Sequence, residues 1–460
     1  MFEQIRRDRL PVKFSGAQAG IEPLTWGQKT TLRDMHDNGT QFSMSGRTDL
    51  APGSRLDDAA ARLSRVMSRH AVLRMRLTSD SAGRPCQEIA GSGQTDLDIL
   101  TLPDDAEESD ITRFLDELLD SWKLEPFDLE RDWPLRMAVV RHRGTYQHLA
   151  WELGHLAVDG AGHMLLLAEL MPGGFERHSG DPALQVVDVA RSEQGEQLRQ
   201  LSRRTMRYWE SALGRIPALT FGQPAKPDVQ AGPRYWRVEF DSPAAHLAML
   251  AIAGRTGTDG SRVALAVIAI AIGRATGRSA LTLNVTVSNR FRPGLADVMA
   301  PLAQSSVVSI DVADSTIDEV VVRARGSSLT AGMRAYYDPD DLAELTERLD
   351  AERGQARISC RVNDQRAMAR RSGAVASAGG VTSEQISEKL AESKLTWLRP
   401  LEYDLYDQAM ILIQDRPGVI SLHMLCDLWS TSSAQVEKLL RGVEEIAVEA
   451  AFNPSARTMI

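Results

Sequence analysis

Apolar residues recur at two different periods along this chain. Leu56, Ala60, Leu63 and Met67 are spaced for one face of a helix, as are Ile111, Phe114, Leu115, Leu118, Leu119 and Trp122. Over residues 147–153 the period drops to two: Leu149, Trp151 and Leu153 point one way, and His148, Ala150 and Glu152 the other. On such patterns we expect strands at 11–15, 73–77, 137–142 and 147–153, with helices at 24–36, 56–67, 111–122 and 161–170. A turn-rich stretch, PGGFERHSGDP at 172–182, interrupts the series. A second set follows, with helices at 197–213 and 261–276 and strands at 234–240, 280–287, 307–312, 409–414 and 418–425. Residues 369–382 (ARRSGAVASAGGVT) are small and Gly-rich and predict a mobile loop. Ser432 and Gln435 form a capping-box signature ahead of a last helix. The alternation of strands and helices predicts an α/β fold in two lobes, residues 1–180 and 181–460.

Composition narrows the class. Hydrophobic residues make up 43% of the 460, charged residues 25%, and the formal net charge is −9. With no long basic run, nucleic acid is not an expected partner. The longest apolar run, VALAVIAIAI at 263–272, is about half of what spans a bilayer and predicts a buried helix. No membrane association and no secretory leader are expected. Cys86, Cys360 and Cys426 lie far apart without CxxC spacing, so neither a disulfide framework nor a metal site is predicted. A cytoplasmic protein with reduced thiols is the expectation.

The segment that carries chemistry is His155-Leu156-Ala157-Val158-Asp159-Gly160, an HxxxDG pattern between a strand and a helix. Chance supplies roughly 0.04 such matches in a chain with nine histidines. An imidazole, with a reference pKa near ~6.5, can accept or steer a proton at neutral pH. Asp159 sits too close to the turn to act as a second base; its expected task is to brace the loop by pairing with an arginine. Gly160 permits unusual backbone angles and opens a helix whose N–H groups can face an oxyanion. Taken alone, the six residues equally fit a structural loop histidine and a helix-capping aspartate. No GxSxG, GxxxxGK or HExxH occurs.

The order of short motifs separates these readings. PLTWGQ at 23–28, RHAVLR at 69–74, EPFDLERDWPL at 125–135, GHLAVDGAGHMLLLAEL at 154–170, Tyr208-Trp209, Ser288-Asn289-Arg290 followed by 304–310, and 426–440 occur in sequence. In this order the chain resembles the condensation domains of nonribosomal peptide synthetases, within the chloramphenicol-acetyltransferase-like superfamily, over almost its whole length. The resemblance implies two such lobes in a V-shaped pseudo-dimer with a central tunnel. It implies an acyltransferase that joins a carrier-bound acyl or aminoacyl thioester to an amine or hydroxyl, forming an amide or ester. The implied partners are acyl- or peptidyl-carrier proteins, whose phosphopantetheine arms hold the substrates, and a small-molecule or carrier-bound acceptor. No cofactor is expected on the chain itself.

Carried over by residue, His155 and Gly160 are the expected catalytic positions, and Asp159 with Arg290 the bracing pair. Gly154 stands where the family has its first histidine, and Ser305 where it usually has an asparagine that contacts the acceptor. His163, Trp26 and Trp397 are expected to be structural. Asn363, Asp364 and Arg366 are expected in a solvated loop, with the acceptor side as the alternative. Carrier-attachment and adenylation motifs are absent, and the motif set that follows Met1 predicts a free-standing unit. A CoA-dependent acyltransferase and a non-catalytic recruitment domain are the competing readings.

Overall fold

The alternation through Leu149, Trp151 and Leu153 ends at the glycine that precedes His155, and it resolves as a buried central strand. The computed structural model describes residues 5–171, 184–214, 220–221, 232–353, 358–366, 380–401, 403–405 and 407–460. The turn-rich stretch 172–182 and most of the Gly-rich loop expected at 369–382 lie outside them.

The chain divides into two compact units. The first holds Met1–His36, Thr40–Arg199 and a returning segment, Ser288–Ala303; the second holds Asp37–Gly39, Gln200–Val287 and Gln304–Ile460. The division therefore falls at 199/200 rather than at the expected 180/181, and the first unit is discontinuous in sequence.

In chain order the first unit contains β1 (Arg6–Ser15), β2 (Gly20–Pro23), α1 (Trp26–Asp37), β3 (Ser43–Asp49), α2 (Leu56–Arg69), β4 (Met75–Ser79), β5 (Pro85–Ile89), β6 (Ser92–Thr101), α3 (Glu108–Lys123), β7 (Leu135–His142), β8 (Thr145–Gly154), α4 (Gly160–Leu170) and α5 (Val186–Glu193). Its main sheet has the order β1-β6-β7-β8-β3, and β2-β5-β4 form a small second sheet. The apolar stripe of α3 works as its spacing predicts. Ile111, Phe114, Leu115, Leu118 and Trp122 are buried against Leu100, Ala138, Val140 and Ala150 of the sheet. Each such side chain stabilises the unit by about 1.5–3 kcal/mol.

From α6 (Glu196–Leu213) the chain runs on through β9 (Tyr235–Ser242), α7 (Pro243–Thr256), α8 (Gly260–Thr276), β10 (Ala280–Val287), β11 (Gln304–Asp311), α9 (Ile317–Met333), α10 (Pro339–Arg353), β12 (Cys360–Asp364), α11 (Ser383–Lys389), β13 (Lys394–Pro400), β14 (Ala409–Arg416), β15 (Val419–Asp427) and α12 (Ser433–Ala451). Seven strands form one sheet, β11-β10-β12-β14-β15-β9-β13. The run VALAVIAIAI is the centre of α8 and is buried all round, packed with α7, α9 and α12 on one sheet face. Asp259 caps its N-terminus and Gly277, at φ 69°, ends it in the left-handed conformation. Among the described residues no helix is long and apolar enough to cross a membrane.

Candidate active site

β8 delivers the HxxxDG loop. Its last residue, Gly154, donates its N–H to Pro134 O at 3.0 Å, and the next N–H, of His155, reaches Phe42 O at 2.9 Å. Ala157 N–H then closes a turn onto Gly154 O at 3.0 Å. The three intervening residues, Leu156, Ala157 and Val158, are fully buried, so the loop is anchored by its apolar side chains. His155 is left half-buried; its Nδ1 is covered and has no hydrogen-bond partner among the described residues. Its ring meets Phe42 edge-on, with centroids 6.4 Å apart.

Asp159 ends the loop and is the N-cap of α4: its Oδ1 accepts from Gly162 N at 2.8 Å. The same oxygen lies 2.7 Å from Arg290 Nη2. Oδ2 accepts from the backbone N–H groups of Leu302 and Ala303, at 3.0 and 3.1 Å. Every one of these bonds is structural, so the carboxylate has no lone pair directed at a proton in transit. Arg290 is equally committed, donating Nη1 to Val298 O at 2.6 Å and Nη2 to Ala300 O at 3.1 Å. Asn289 turns the chain into this position. It adopts φ 58°, a left-handed angle that asparagine tolerates, and its Nδ2 donates to Leu302 O at 3.0 Å. The expected pairing of Asp159 with Arg290 is thus present, and both residues belong to the first unit.

Other motif residues hold the surroundings. Trp26 is fully buried and a packing residue, as expected. The next residue, Gly27, is tight for a reason: a Cβ there would collide with the Pro301 carbonyl, next to the donors that serve Asp159. In RHAVLR, Arg74 is buried, has no carboxylate partner among the described residues and donates to the carbonyls of Met67, Ser68 and Ala90 at 2.7–2.8 Å. His70 Nε2 lies 3.0 Å from Glu169 Oε2 and Arg69 Nε 3.3 Å from Oε1. The active-site helix is therefore tied at its far end as well as at Asp159.

Some expectations need correction. Gly160 starts α4 and is not among the positive-φ glycines, so its backbone is not unusual; what it contributes is the opening of the helix. Gly154 has room, since an added Cβ would meet Phe127 Cδ2 and Pro134 Cβ at 3.5 and 3.7 Å, ordinary contacts. Asp364 and Arg366 are not a solvated loop. They form a two-pronged ion pair, Nη2 to Oδ2 2.6 Å and Nε to Oδ1 2.9 Å, that ties the end of β12 to Gly260 O at the start of α8. Burial opposes ionisation of Asp364, but Arg366 holds its carboxyl below the usual range. Ser305 is a half-buried residue of β11 in the second unit, opposite Thr286; its carbonyl accepts from Tyr337 Oη at 3.0 Å. Trp397 is a packing residue as expected, edge-on against Trp236 with centroids 5.8 Å apart.

Two features were not foreseen. Glu152, two residues before Gly154, is buried, accepts from Ser43 Oγ at 2.7 Å and pairs with Arg136 at 3.2 Å. Burial pushes its pKa above the usual carboxyl value, with Ser43 and Arg136 pulling the other way. A charged residue in the apolar half of the strand, LAWEL at 149–153, was the signal available. His163 receives a hydrogen bond from the Trp151 indole at 2.9 Å, which no motif announces. Among the described residues no group of three or more His, Cys, Asp or Glu side chains is placed to hold a metal.

The arrangement is the mixed α/β fold of the chloramphenicol-acetyltransferase-like proteins, and solved structures show it. The condensation domain that mediates chain release from the enacyloxin polyketide synthase matches with TM-score 0.71 at 18% identity, over 96% of this chain and 85% of that one. SgcC5 from Streptomyces globisporus matches with TM-score 0.68 at 17% identity, over 95% and 100%. The X-domain from teicoplanin biosynthesis matches with TM-score 0.67 at 19% identity, over 97% and 98%. The Condensation domain family matches residues 18–387, and the chain belongs to that family. Surfactin synthase subunit 2 of Bacillus subtilis (strain 168) is 22% identical over 320 residues, 68% of this chain and 8% of that protein. CymA, a probable non-canonical nonribosomal peptide synthetase of Salinispora arenicola (strain CNS-205), is 24% identical over 365 residues, 76% of this chain and 4% of that protein. The chain thus spans less than a tenth of the length of these relatives. It is a condensation domain by family and by fold.

Proposed function

We propose that the chain is a free-standing, cytoplasmic condensation enzyme that joins a carrier-bound acyl or aminoacyl thioester to an amine or hydroxyl acceptor. The observation that carries this reading is the intact brace around a half-exposed His155: Asp159 held by Arg290, Leu302 and Ala303. Such a brace keeps the imidazole in place without competing for its proton. The acceptor nitrogen or oxygen adds to the thioester carbonyl while His155 takes its proton. The tetrahedral adduct then expels the thiol of the pantetheine arm, and the proton passes from His155 to sulfur. Asp159 captures Gly162 N–H, which leaves Gly160 and Ala161 as first-turn donors without an intrahelical partner. We assign the oxyanion to this helix start, with Gly160 at its opening. Ser305 is assigned to acceptor contacts. No cofactor is assigned to the chain; the phosphopantetheine belongs to its carrier partners.

A second reading, a non-catalytic recruitment domain, draws on Gly154 at the family's histidine position. It also draws on the likeness to the teicoplanin X-domain in complex with OxyB, at TM-score 0.64 and 18% identity. One assay decides. Wild type and His155→Ala are incubated with acyl-loaded carrier or acyl-CoA plus candidate acceptors, and product is followed by mass spectrometry. The variant should lose roughly 10²–10⁴-fold in turnover and still bind the carrier. Full activity in His155→Ala removes the catalytic assignment. Equal or better turnover with acyl-CoA moves the donor to CoA. No wild-type turnover with any donor, together with tight binding to a partner enzyme, leaves the recruitment reading.

A further inference from the structure

Trp151 lies on β8, four residues before His155, and His163 lies on α4, eight residues after it. The indole Nε1 stands 2.9 Å from His163 Nε2, with the rings tilted at 54°. An indole N–H only donates, so Nε2 must accept and carry no proton; a neutral imidazole then has its hydrogen on Nδ1. The contact itself fixes the tautomer. Burial also holds the His163 pKa below the usual histidine range, and it is the one cause acting there. The charged groups that hold the packed elements have partners of their own. Arg62 donates to Leu170 O, Arg69 and His70 meet Glu169, Asp159 meets Arg290, and on the strands Asp49 meets His148 and Glu152 meets Arg136.

A third element makes room for this bond. Gly46 on β3 is the register partner of Trp151, and a Cβ at Gly46 would stand 2.5 Å from Trp151 Cζ2. The indole therefore lies across β3 where a side chain would be, and from there reaches α4. Between its two ends the bond spans the whole HxxxDG loop. The loop is otherwise pinned by His155 N–H on Phe42 O at its start and by the Asp159 brace at its end.

We infer that Trp151 and His163 form a clasp between β8 and α4 that sets the opening of the loop, and that His163 is a positioning residue for His155. The inference rests on the condensation reading for its effect on turnover and deepens it at the same site. Protonation of Nε2 would place two donors face to face and undo the clasp.

The test compares Trp151→Phe, His163→Leu and His163→Gln with wild type. Three quantities are read: the indole N–H resonance by NMR, hydrogen exchange of the His155 amide, and kcat against KM. In wild type the indole resonance should titrate with the same midpoint as the His163 ring. Trp151→Phe and His163→Leu should exchange the His155 amide faster and lose roughly 10-fold in kcat, within the range a small misplacement costs, while KM stays within about two-fold. His163→Gln, whose amide oxygen can accept, should recover most of both. Unchanged His155 exchange and unchanged kcat in Trp151→Phe and His163→Leu would overturn the clasp. If wild type turns over no donor, the exchange arm decides by itself. Faster His155 exchange then supports the clasp while the condensation reading fails, and unchanged exchange overturns the clasp too.

Discussion

Asp159 receives hydrogen bonds from one side chain and three backbone N–H groups, and Arg290 gives its own to the carboxylate and to main-chain carbonyls. Removing either partner leaves the other buried and uncompensated. Arg290→Ala should therefore lose about 3–5 kcal/mol of stability, measured by urea unfolding, with activity falling alongside. Arg290→Lys should recover little, because one ammonium cannot reproduce a planar guanidinium that serves a carboxylate and several carbonyls at once. Gly154→Ala is the contrasting case. Its Cβ finds ordinary contacts and its backbone is plain strand, so unfolding free energy should change by no more than about 1 kcal/mol. A loss of several kcal/mol there would mean that the glycine is required by its surroundings. His155 and Asp159 were legible because side-chain chemistry at fixed spacing carries them, and Arg290 only through the resemblance to condensation domains. The Leu302 and Ala303 N–H donors were not, since every residue but proline has such a donor. Nor was the Trp151–His163 bond, whose partners lie 12 residues apart on different elements.

Elements with one strong stripe or an unbroken apolar run were readable, and several with neither were not. α3 and α12 have apolar positions on one side; α3 lies close to its expected bounds, and α12 starts at Ser433, directly after the Ser432 cap. α7 was passed over because its buried positions are mostly alanines, Ala244, Ala245 and Ala248, which make no stripe. β3, SMSGRTD, has no alternation to read because it is mostly polar and half-buried up to its exposed last residue; pairing with β8 makes it a strand, not its own pattern. At the end of β15 the closing motif contains a device that such patterns do not announce. Asp427 takes two hydrogen bonds from Arg234, at 2.8 Å each, one from Ser430 Oγ at 2.8 Å and one from Trp429 N at 3.0 Å. Burial opposes its charge, yet these bonds hold its pKa below the usual aspartate value. A depressed folded-state pKa contributes stability above the unfolded value of roughly 3.9, and that stability is lost as pH falls through the folded value. Asp427→Asn should then be less stable than wild type at pH 7 by roughly 2 kcal/mol. The gap should close as pH drops below about 4, and thermal melts across pH 2.5–7 (~0.5-unit steps) would check it. A gap that stays constant into acid would assign the loss to packing instead.

A chain that leaves a unit and returns to it 88 residues later cannot be cut at a single point without cost to that unit. The first unit ends its long run at Arg199 and is completed by Ser288–Ala303, which brings Arg290 and the Leu302 and Ala303 N–H groups to Asp159. Composition shows where a chain loosens, which is why the boundary was expected near 180. It does not show that a later segment folds back, any more than it shows the strand order β11-β10-β12-β14-β15-β9-β13. Residues 1–199 expressed alone should therefore lack the brace of the HxxxDG loop. Joining 288–303 to them through a long Gly/Ser linker should restore it. Losing about 3–5 kcal/mol from the broken pair, at roughly 2–4 °C per kcal/mol for a chain of this size, predicts a Tm about 6–20 °C lower for 1–199 than for the linked chain. The His155 amide should exchange faster in the shorter chain, and Arg290→Ala within the linked chain should remove most of the recovery. Equal Tm and equal exchange in the two chains would mean that the brace contributes nothing to the first unit. Recovery that persists in Arg290→Ala would assign the effect to the apolar side chains of the segment, Val298, Met299, Ala300 and Leu302, all of which are buried.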